Sequence, residues 1–116
     1  MPAQPAANAG ERVSASHVLI AYKGSAGSAA ATRSKEAAQK LAAEIMAKAR
    51  AGEDFAALAT KYSDDPTAKR GGGSLGSFTR DRMVKPFSDA AFALKPGQVS
   101  SVVETNFGFH VIKRTE

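Results

Sequence analysis

Two segments typical of β-strands stand near opposite ends of the chain, and each is interrupted by a histidine. Residues 13–20 read VSASHVLI, residues 109–114 read FHVIKR, and His17 and His110 are the only two histidines. Side chains alternate between the faces of a strand, so His17 shares a face with Leu19. If the two strands pair with both histidines on one side, the rings can meet and share a proton through a hydrogen bond. Two unrelated, hydrogen-bonded core histidines are the alternative.

After the first strand, the apolar residues change to a helical period. A helix can begin at Thr32 or Ser34, either of which can cap it, and can run to Arg50. Gly52 then provides a terminator. The predicted buried stripe consists of Ala37, Ala38, Leu41, Ala42, Ile45, Met46 and Ala49.

Two further helices are predicted. Asp54 can cap the first of them, which must end before Pro66 because proline disfavours helical geometry in the residue before it. A short helical turn is expected at residues 67–69, since proline fits the start of a new turn. A third helix is predicted at residues 86–94, where the apolar residues again share one face and Pro96 follows.

The remaining segments predict strands. The glycines of residues 71–78, GGGSLGSF, cannot all lie in a helix, and they leave room for a short strand at residues 74–78. Residues 99–104 and 109–114 are separated by a short turn, which predicts a closing hairpin. Together with the helices, these elements predict an α+β fold with a small antiparallel or mixed sheet.

Composition limits the possible partners. A chain of 116 residues with 43% hydrophobic and 23% charged residues is typical of one globular domain, here expected at residues 13–116 after a flexible tail at residues 1–12. The net charge is +5, but basic residues are interleaved with acidic ones, so we expect a solvated surface and no nucleic-acid partner. No apolar run is long enough for a membrane span or a signal peptide. The lack of cysteine leaves both the cytoplasm and an extracytoplasmic space open.

The chain lacks the sequence motifs of several common enzyme chemistries. The chain has no HExxH arrangement, no lysine-containing P-loop and no GxSxG elbow, so metal, nucleotide and acyl-enzyme mechanisms are poorly supported and no cofactor is expected. Asp65 is a candidate for chemistry, although it can equally cap the turn that begins at Pro66. A third feature is an apolar cluster that can either complete the core or line a pocket. Its members are Leu75, Met83, Phe87 and Phe107.

Three segments together resemble the parvulin family of peptidyl-prolyl cis–trans isomerases. They read SHVLI, FAALATKYSDDPTAKRGGGSLGSF and MVKPFSDAAFALKPGQVSSVVETNFGFHVIK, and the resemblance spans roughly residues 13–116. Both histidine strands, the SD-rich turn, the GGxLG loop and the MxxPF helix start occur in the family's order and spacing. The resemblance implies a four-stranded antiparallel sheet surrounded by about four helices, with the active site on the concave face of the sheet.

The resemblance also implies which residues form the site. His17 and His110 match the paired histidines of the family, Thr105 matches the hydroxyl residue beside them, and Asp65 falls where members carry cysteine or aspartate. The residues that match the pocket for the substrate proline ring are Leu75, Met83 and Phe87, with Phe78 and Phe107 at its edges.

The implied activity is rotation of Xaa-Pro bonds in proline-containing polypeptides, which assists protein folding. A parvulin-like chaperone module that binds peptides with little catalysis is the alternative. Members that require phosphoserine or phosphothreonine carry a basic cluster after the first strand, whereas this loop, AYKGSAGSAAATRSK, has Lys23 alone in its first half. We therefore expect no strong phosphate requirement, and we expect a monomer.

Overall fold

The computed structural model describes residues 12–26, 31–65 and 72–116 of the chain. The predicted tail lies outside the described residues except for Arg12, which already pairs with Thr79 in the sheet. The helical turn predicted at residues 67–69 also lies outside them. The domain boundary at residue 13 stays a prediction.

A four-stranded antiparallel sheet forms the centre of the molecule. Its strands are β1 (Arg12–Ile20), β2 (Ser74–Thr79), β3 (Val103–Thr105) and β4 (Gly108–Arg114). Their spatial order is β2-β1-β4-β3, so the two histidine-bearing strands from opposite ends of the chain are the central pair. The predicted α+β class and antiparallel sheet are confirmed.

The register between β1 and β4 decides where the histidines lie. His17 is opposite Ile112, and Leu19 is opposite His110. Residues directly opposite each other, and residues two apart on one strand, lie on the same face of a sheet. His17 and His110 are therefore diagonal neighbours on one face.

The first helix, α1 (Lys35–Arg50), begins as predicted. Ser34, one of the two candidate caps, accepts a hydrogen bond from the Ala37 backbone N–H at 3.1 Å. Ala38, Ala42, Ile45 and Ala49 are buried, whereas Ala37 is exposed. The prediction for Ala37 was wrong because a strict spacing of four drifts off a face that turns every 3.6 residues.

The other two α-helices also lie near their predicted positions, and a 3₁₀ helix forms where none was predicted. Helix α2 (Phe55–Tyr62) is capped by the Asp54 side chain, a 3₁₀ helix follows β2 at Arg80–Arg82, and α3 spans Lys85–Ala93. The described residues thus contain three α-helices and one 3₁₀ helix, against the expected total of about four.

The hairpin strand predicted at residues 99–104 is shorter in the structure. Val99 makes only an isolated bridge to Lys113, and the regular strand begins at Val103. Between them, the Ile112 backbone N–H donates to the Ser100 hydroxyl at 3.0 Å. In a regular antiparallel pair, a backbone carbonyl would accept this hydrogen bond. Here the Ser100 side chain accepts it instead, so the backbone pairing with β4 is interrupted at this residue.

The two faces of the sheet bury separate apolar clusters. Helices α1 and α2 cover one face, whereas α3 covers part of the other. The first cluster contains Val18, Ile20, Ala38, Ala42, Ile45, Ala49, Phe55, Leu58, Ala59, Phe109 and Val111. The second contains Val13, Ala15, Phe78, Phe87, Ala91 and Ile112.

One glycine is required by its closeness to the first histidine. The His17 backbone N–H donates to the Gly73 carbonyl at 2.9 Å. Gly73 has φ +86°, and a Cβ there would lie 2.6 Å from the His17 carbonyl oxygen. Because only glycine tolerates both conditions, this position keeps the segment before β2 tight against β1.

Candidate active site

The structure brings the two histidines together. His17 Nδ1 lies 3.3 Å from His110 Nδ1, the ring planes differ by 19°, and both residues are 5% exposed. The alternative of two unrelated core histidines is wrong. The paired rings lie on the same sheet face as the second apolar cluster, and the Phe87 ring of α3 packs against both of them.

Each ring has a second partner on its outer side. His17 Nε2 is 3.0 Å from Asp65 Oδ2, and His110 Nε2 is 2.8 Å from the Thr105 hydroxyl oxygen. The Phe107 backbone N–H donates to that same oxygen at 3.1 Å. All four polar residues predicted from the sequence therefore belong to one continuous hydrogen-bonded chain.

Burial keeps both imidazoles neutral. Desolvation lowers the pKa of His17, and the hydrogen bond to Asp65 opposes that effect without cancelling it. For His110, desolvation and the neighbouring His17 lower the pKa to about 3, while the more distant Asp65 carboxylate acts in the opposite direction. At neutral pH each ring therefore carries one proton.

The partners determine which nitrogen holds each proton. A carboxylate only accepts hydrogen bonds, so His17 donates from Nε2 to Asp65 and its Nδ1 is left as an acceptor. His110 must then donate from Nδ1, and its Nε2 accepts from the Thr105 hydroxyl. In this assignment every donor of the hydrogen-bonded series from Thr105 to Asp65 points towards Asp65. Both nitrogens of each imidazole ring have a hydrogen-bond partner.

Asp65 is held in place by the two residues before it. The Ser63 hydroxyl accepts from the Leu19 N–H at 3.1 Å and from the Asp65 N–H at 3.2 Å, and Ser63 is fully buried. The Asp64 N–H donates to the Leu19 carbonyl at 2.7 Å. The segment thus runs beside β1 two residues beyond His17, which brings the Asp65 carboxylate to the histidine.

A guanidinium braces this segment from outside. Arg33 Nη1 donates to Asp64 Oδ2 at 2.6 Å and to the Ala21 carbonyl at 3.0 Å, and the Ala21 N–H donates to the same carboxylate oxygen at 2.8 Å. Sequence reasoning missed Ser63, Asp64 and Arg33. Their role depends on contacts with backbone groups that no local pattern reveals.

A cavity of about 470 Å³ opens beside the histidine pair. Its lining consists of His17, Leu19, Ala26, Asp65, Leu75, Arg82, Met83, Val84, Phe87, Phe107 and His110. Four of the five residues predicted for the proline pocket are among them. Phe78 is not, because it is buried in the second cluster behind Phe87, with a distance of 6.1 Å between the ring centroids.

Phe87 joins the apolar part of the cavity to the polar part. Its ring meets His17 and His110 edge-on, at centroid distances of 5.6 Å and 5.2 Å. Phe107 and Val84 are each 39% exposed at the cavity. An apolar ring that entered the cavity would therefore lie against Phe87 and close to both imidazoles.

A family model described as the PPIC-type PPIase domain matches residues 4–116. The chain belongs to this family, the parvulins. The family assignment agrees with the resemblance seen in the three sequence segments. It also agrees with the four-stranded sheet.

Curated relatives of this parvulin include isomerases and foldases. The peptidyl-prolyl cis-trans isomerase pin1 of Schizosaccharomyces pombe is 48% identical over 109 residues, which cover 89% of this chain and 62% of the relative. The foldase protein PrsA 4 of Bacillus cereus is 51% identical over 78 residues, which cover 67% of this chain and 28% of the foldase. The chain therefore spans only part of the length of these relatives.

Solved structures support the parvulin fold. The peptidyl-prolyl isomerase ESS1 from Candida albicans matches with a TM-score of 0.82 and 32% identity, over 90% of this chain and 63% of that one.

Among the residues that the structure describes, no three histidine, cysteine, aspartate or glutamate side chains form a group that could hold a metal ion. No described helix is long and apolar enough to cross a membrane.

Proposed function

We propose that this parvulin catalyses cis–trans rotation of Xaa-Pro peptide bonds in protein substrates and so assists their folding. The observation that carries the proposal is the apolar cavity next to a neutral, fully bonded histidine pair. A proline ring would occupy the apolar part, and its peptide bond would then lie beside the polar chain that ends at Asp65.

The reaction requires twisting rather than bond cleavage. Rotation about an Xaa-Pro bond crosses a barrier of about 20 kcal/mol because it destroys amide resonance. At the twisted geometry the amide loses charge separation, so its carbonyl becomes ketone-like and its nitrogen regains a lone pair. A site that stabilises this less dipolar state more than the planar one accelerates the reaction.

Leu75, Met83 and Phe87 would bind the proline ring and exclude the water that stabilises the planar amide. A thousand-fold acceleration needs about 4 kcal/mol of differential stabilisation. Water exclusion and a fixed local field can together supply an effect of this size. The cavity thus couples binding to catalysis.

The polar residues would act through position and charge. The ring nitrogens of His17 and His110 are engaged within the hydrogen-bonded chain, so the imidazoles form a rigid wall rather than donors to the substrate. Asp65 would act electrostatically or as a hydrogen-bond acceptor beside the rotating bond. Thr105 lies behind His110 and would fix the orientation of its ring.

We expect no strong phosphate requirement. The loop after β1 has Lys23 and Arg33 as its basic residues before α1, and the Arg33 guanidinium is already bound to Asp64. Lys35, at the start of α1, forms an ion pair with Glu104 at 3.0 Å. Phosphate binding to Arg33 or Lys35 would have to displace these partners. We also expect a monomer, which sedimentation equilibrium would test.

The central test measures cis-to-trans rates of the tetrapeptides Ala-X-Pro-Phe, with X as Ala, Leu, Lys, Glu or phosphoserine and the protein at catalytic concentration. We expect acceleration for neutral and charged X without a large advantage for phosphoserine. If folded protein accelerates none of these peptides, the chain is a peptide-binding module instead. A large phosphoserine advantage would overturn the inference from the loop.

The role of Asp65 has its own test. Asp65→Ala should lower turnover in a folded protein, because the acceptor beside His17 is lost. Glu53→Ala is the matched control, since it removes a carboxylate from the exposed turn between α1 and α2. Undiminished turnover in Asp65→Ala would reject the catalytic role and leave only the capping role.

A further inference from the structure

Among the residues that the structure describes, one cationic side chain that the proposed reaction does not use lines the cavity. The charged residues in the described part of its lining are Asp65 and Arg82, and its two histidines are neutral. Asp65 is bonded to His17, whereas Arg82 is exposed to solvent. The guanidinium therefore places an exposed positive charge at the cavity, while the Asp65 carboxylate places a negative charge beside the histidines.

Arg82 makes no ion-pair contact in the described part of the chain, although the adjacent Asp81 carboxylate attracts it electrostatically. Arg80 and Lys85 share the Asp89 carboxylate, at 3.1 Å and 3.2 Å. The Asp81 carboxylate accepts a hydrogen bond from the Thr79 hydroxyl. Of the three cations in this segment, only Arg82 lines the cavity.

The backbone that carries Arg82 is anchored. Ser88 is buried in α3, and its hydroxyl donates to the Arg80 carbonyl at 2.7 Å and is 3.4 Å from the Met83 carbonyl. The 3₁₀ helix is thereby tied to α3. Met83 enters the apolar pocket, so the preceding residue, Arg82, is held next to the place proposed for the proline ring.

We propose that Arg82 is a specificity-determining residue that favours substrates with an aspartate or glutamate directly beside the proline. This inference rests on the proposed isomerase function. Both charges would be partly solvated, and exposed ion pairs are weak, so the preference is about three-fold rather than a requirement. Because the attraction is electrostatic, added salt weakens it.

The test compares pairs of peptides that differ only in charge. We would measure kcat/KM for Ala-Glu-Pro-Phe against Ala-Gln-Pro-Phe, and for Ala-Ala-Pro-Glu against Ala-Ala-Pro-Gln, at ionic strengths of about 0.01 M and about 1 M. In the wild type we expect the acidic peptide to be favoured about three-fold in at least one pair at low salt. Arg82→Gln should remove that ratio, and Arg82→Glu should reverse it.

Lys40→Gln is the matched control. It removes the same charge from an exposed position on α1, which contributes no residue to the cavity. If Lys40→Gln lowers the ratio as much as Arg82→Gln does, net charge rather than Arg82 is responsible and the proposal fails. A ratio that Arg82→Gln leaves intact also overturns it.

The same variants separate this proposal from the proposed function. If folded wild type accelerates neutral peptides but shows no Arg82-dependent charge ratio, isomerase activity stands and the role of Arg82 is rejected. If no peptide is accelerated, the affinities of the same peptides, measured by fluorescence titration, replace the rates. An Arg82-dependent affinity ratio then supports the charge preference for a binding module, and its absence rejects it.

Discussion

The two faces of the central sheet use the same strands for different purposes. On one face, Val18 and Ile20 of β1 pack with Phe109 and Val111 of β4 beneath α1 and α2, and this cluster is apolar throughout. The other face begins with an apolar cluster beneath α3. It then changes to the paired histidines, where the cavity opens.

This difference is a direct consequence of strand geometry. Neighbouring residues of one strand point to opposite faces, so Val18 can complete a dry core while His17 forms part of the site. Stability and the proposed catalysis can therefore change independently along the same few residues. Three predictions test that separation, beginning with the largest effect.

The largest effect is expected from Ile45→Ala on the apolar face. Ile45 is fully buried in the first cluster, and its truncation should lower the free energy of unfolding by about 3 kcal/mol through lost burial and a cavity. Urea unfolding measures this loss. Glu44→Ala, at an exposed position of the same helix, should change stability by less than about 0.5 kcal/mol.

Turnover per folded molecule should be the same in Ile45→Ala as in the wild type. Peptide assays at a temperature where the variant stays folded provide this measurement. Reduced turnover in folded Ile45→Ala would show that the two faces of the sheet are coupled and would contradict their independence.

The second prediction concerns acid stability, which should depend on the histidine face. The pKa of His110 falls from an unfolded value near 6.5 to about 3, so the neutral ring stabilises the fold above pH 6.5 and this contribution is lost as pH falls towards 3. At pH 5 the free energy of unfolding should be about 2 kcal/mol lower than at pH 7.5 from His110 alone. His17, whose pKa is also lowered, adds in the same direction.

Urea unfolding of wild type and His110→Asn at both pH values isolates this effect, because the carboxylates contribute equally to both proteins. The difference in stability between pH 7.5 and pH 5 should be smaller in the variant. Equal pH dependence in the two proteins would contradict the neutral, buried assignment for His110.

The smallest effect is expected from Arg33→Gln, which removes the brace on the segment before Asp65. Arg33 and Asp64 are partly exposed, so the loss of stability should be below about 1 kcal/mol. Turnover should nevertheless fall about three-fold, because a looser Asp65 no longer holds its position beside His17. Lys35→Gln, which breaks the exposed ion pair with Glu104, is the control and should leave turnover unchanged.

An NMR titration of the histidine rings distinguishes positioning from a general loss of structure. The contact with Asp65 opposes the effect of burial on the pKa of His17, so weakening it should lower that pKa further. An unchanged His17 pKa and unchanged turnover in Arg33→Gln would reject the positioning role.

Local patterns predicted the elements well because the period of apolar residues follows directly from helix and strand geometry. Helix α1, its Ser34 cap and the two histidine strands lie where the sequence placed them. The start of β3 was missed, since the Ser100 hydroxyl replaces a backbone acceptor and a β-type sequence does not reveal that substitution.

The candidate site was predicted largely through its resemblance to the parvulins. Residue type and spacing alone left the histidines as either a pair or two separate core residues. Phe78 was expected at the edge of the pocket but lies behind Phe87. Arg82 was not singled out, because one arginine among 16 basic residues carries no signal until its position at the cavity is known.

The sequence by itself determined the helices, the strands and the residue types that could carry chemistry, because these depend on the periodicity and conformational preferences of neighbouring residues. Tertiary structure alone decided the register that places His17 beside His110 and the contacts of residues 63–65 with β1. It also decided the burial that keeps both rings neutral. These features depend on which distant groups exclude water and satisfy one another's hydrogen bonds, and that pairing becomes definite only when the sheet has formed.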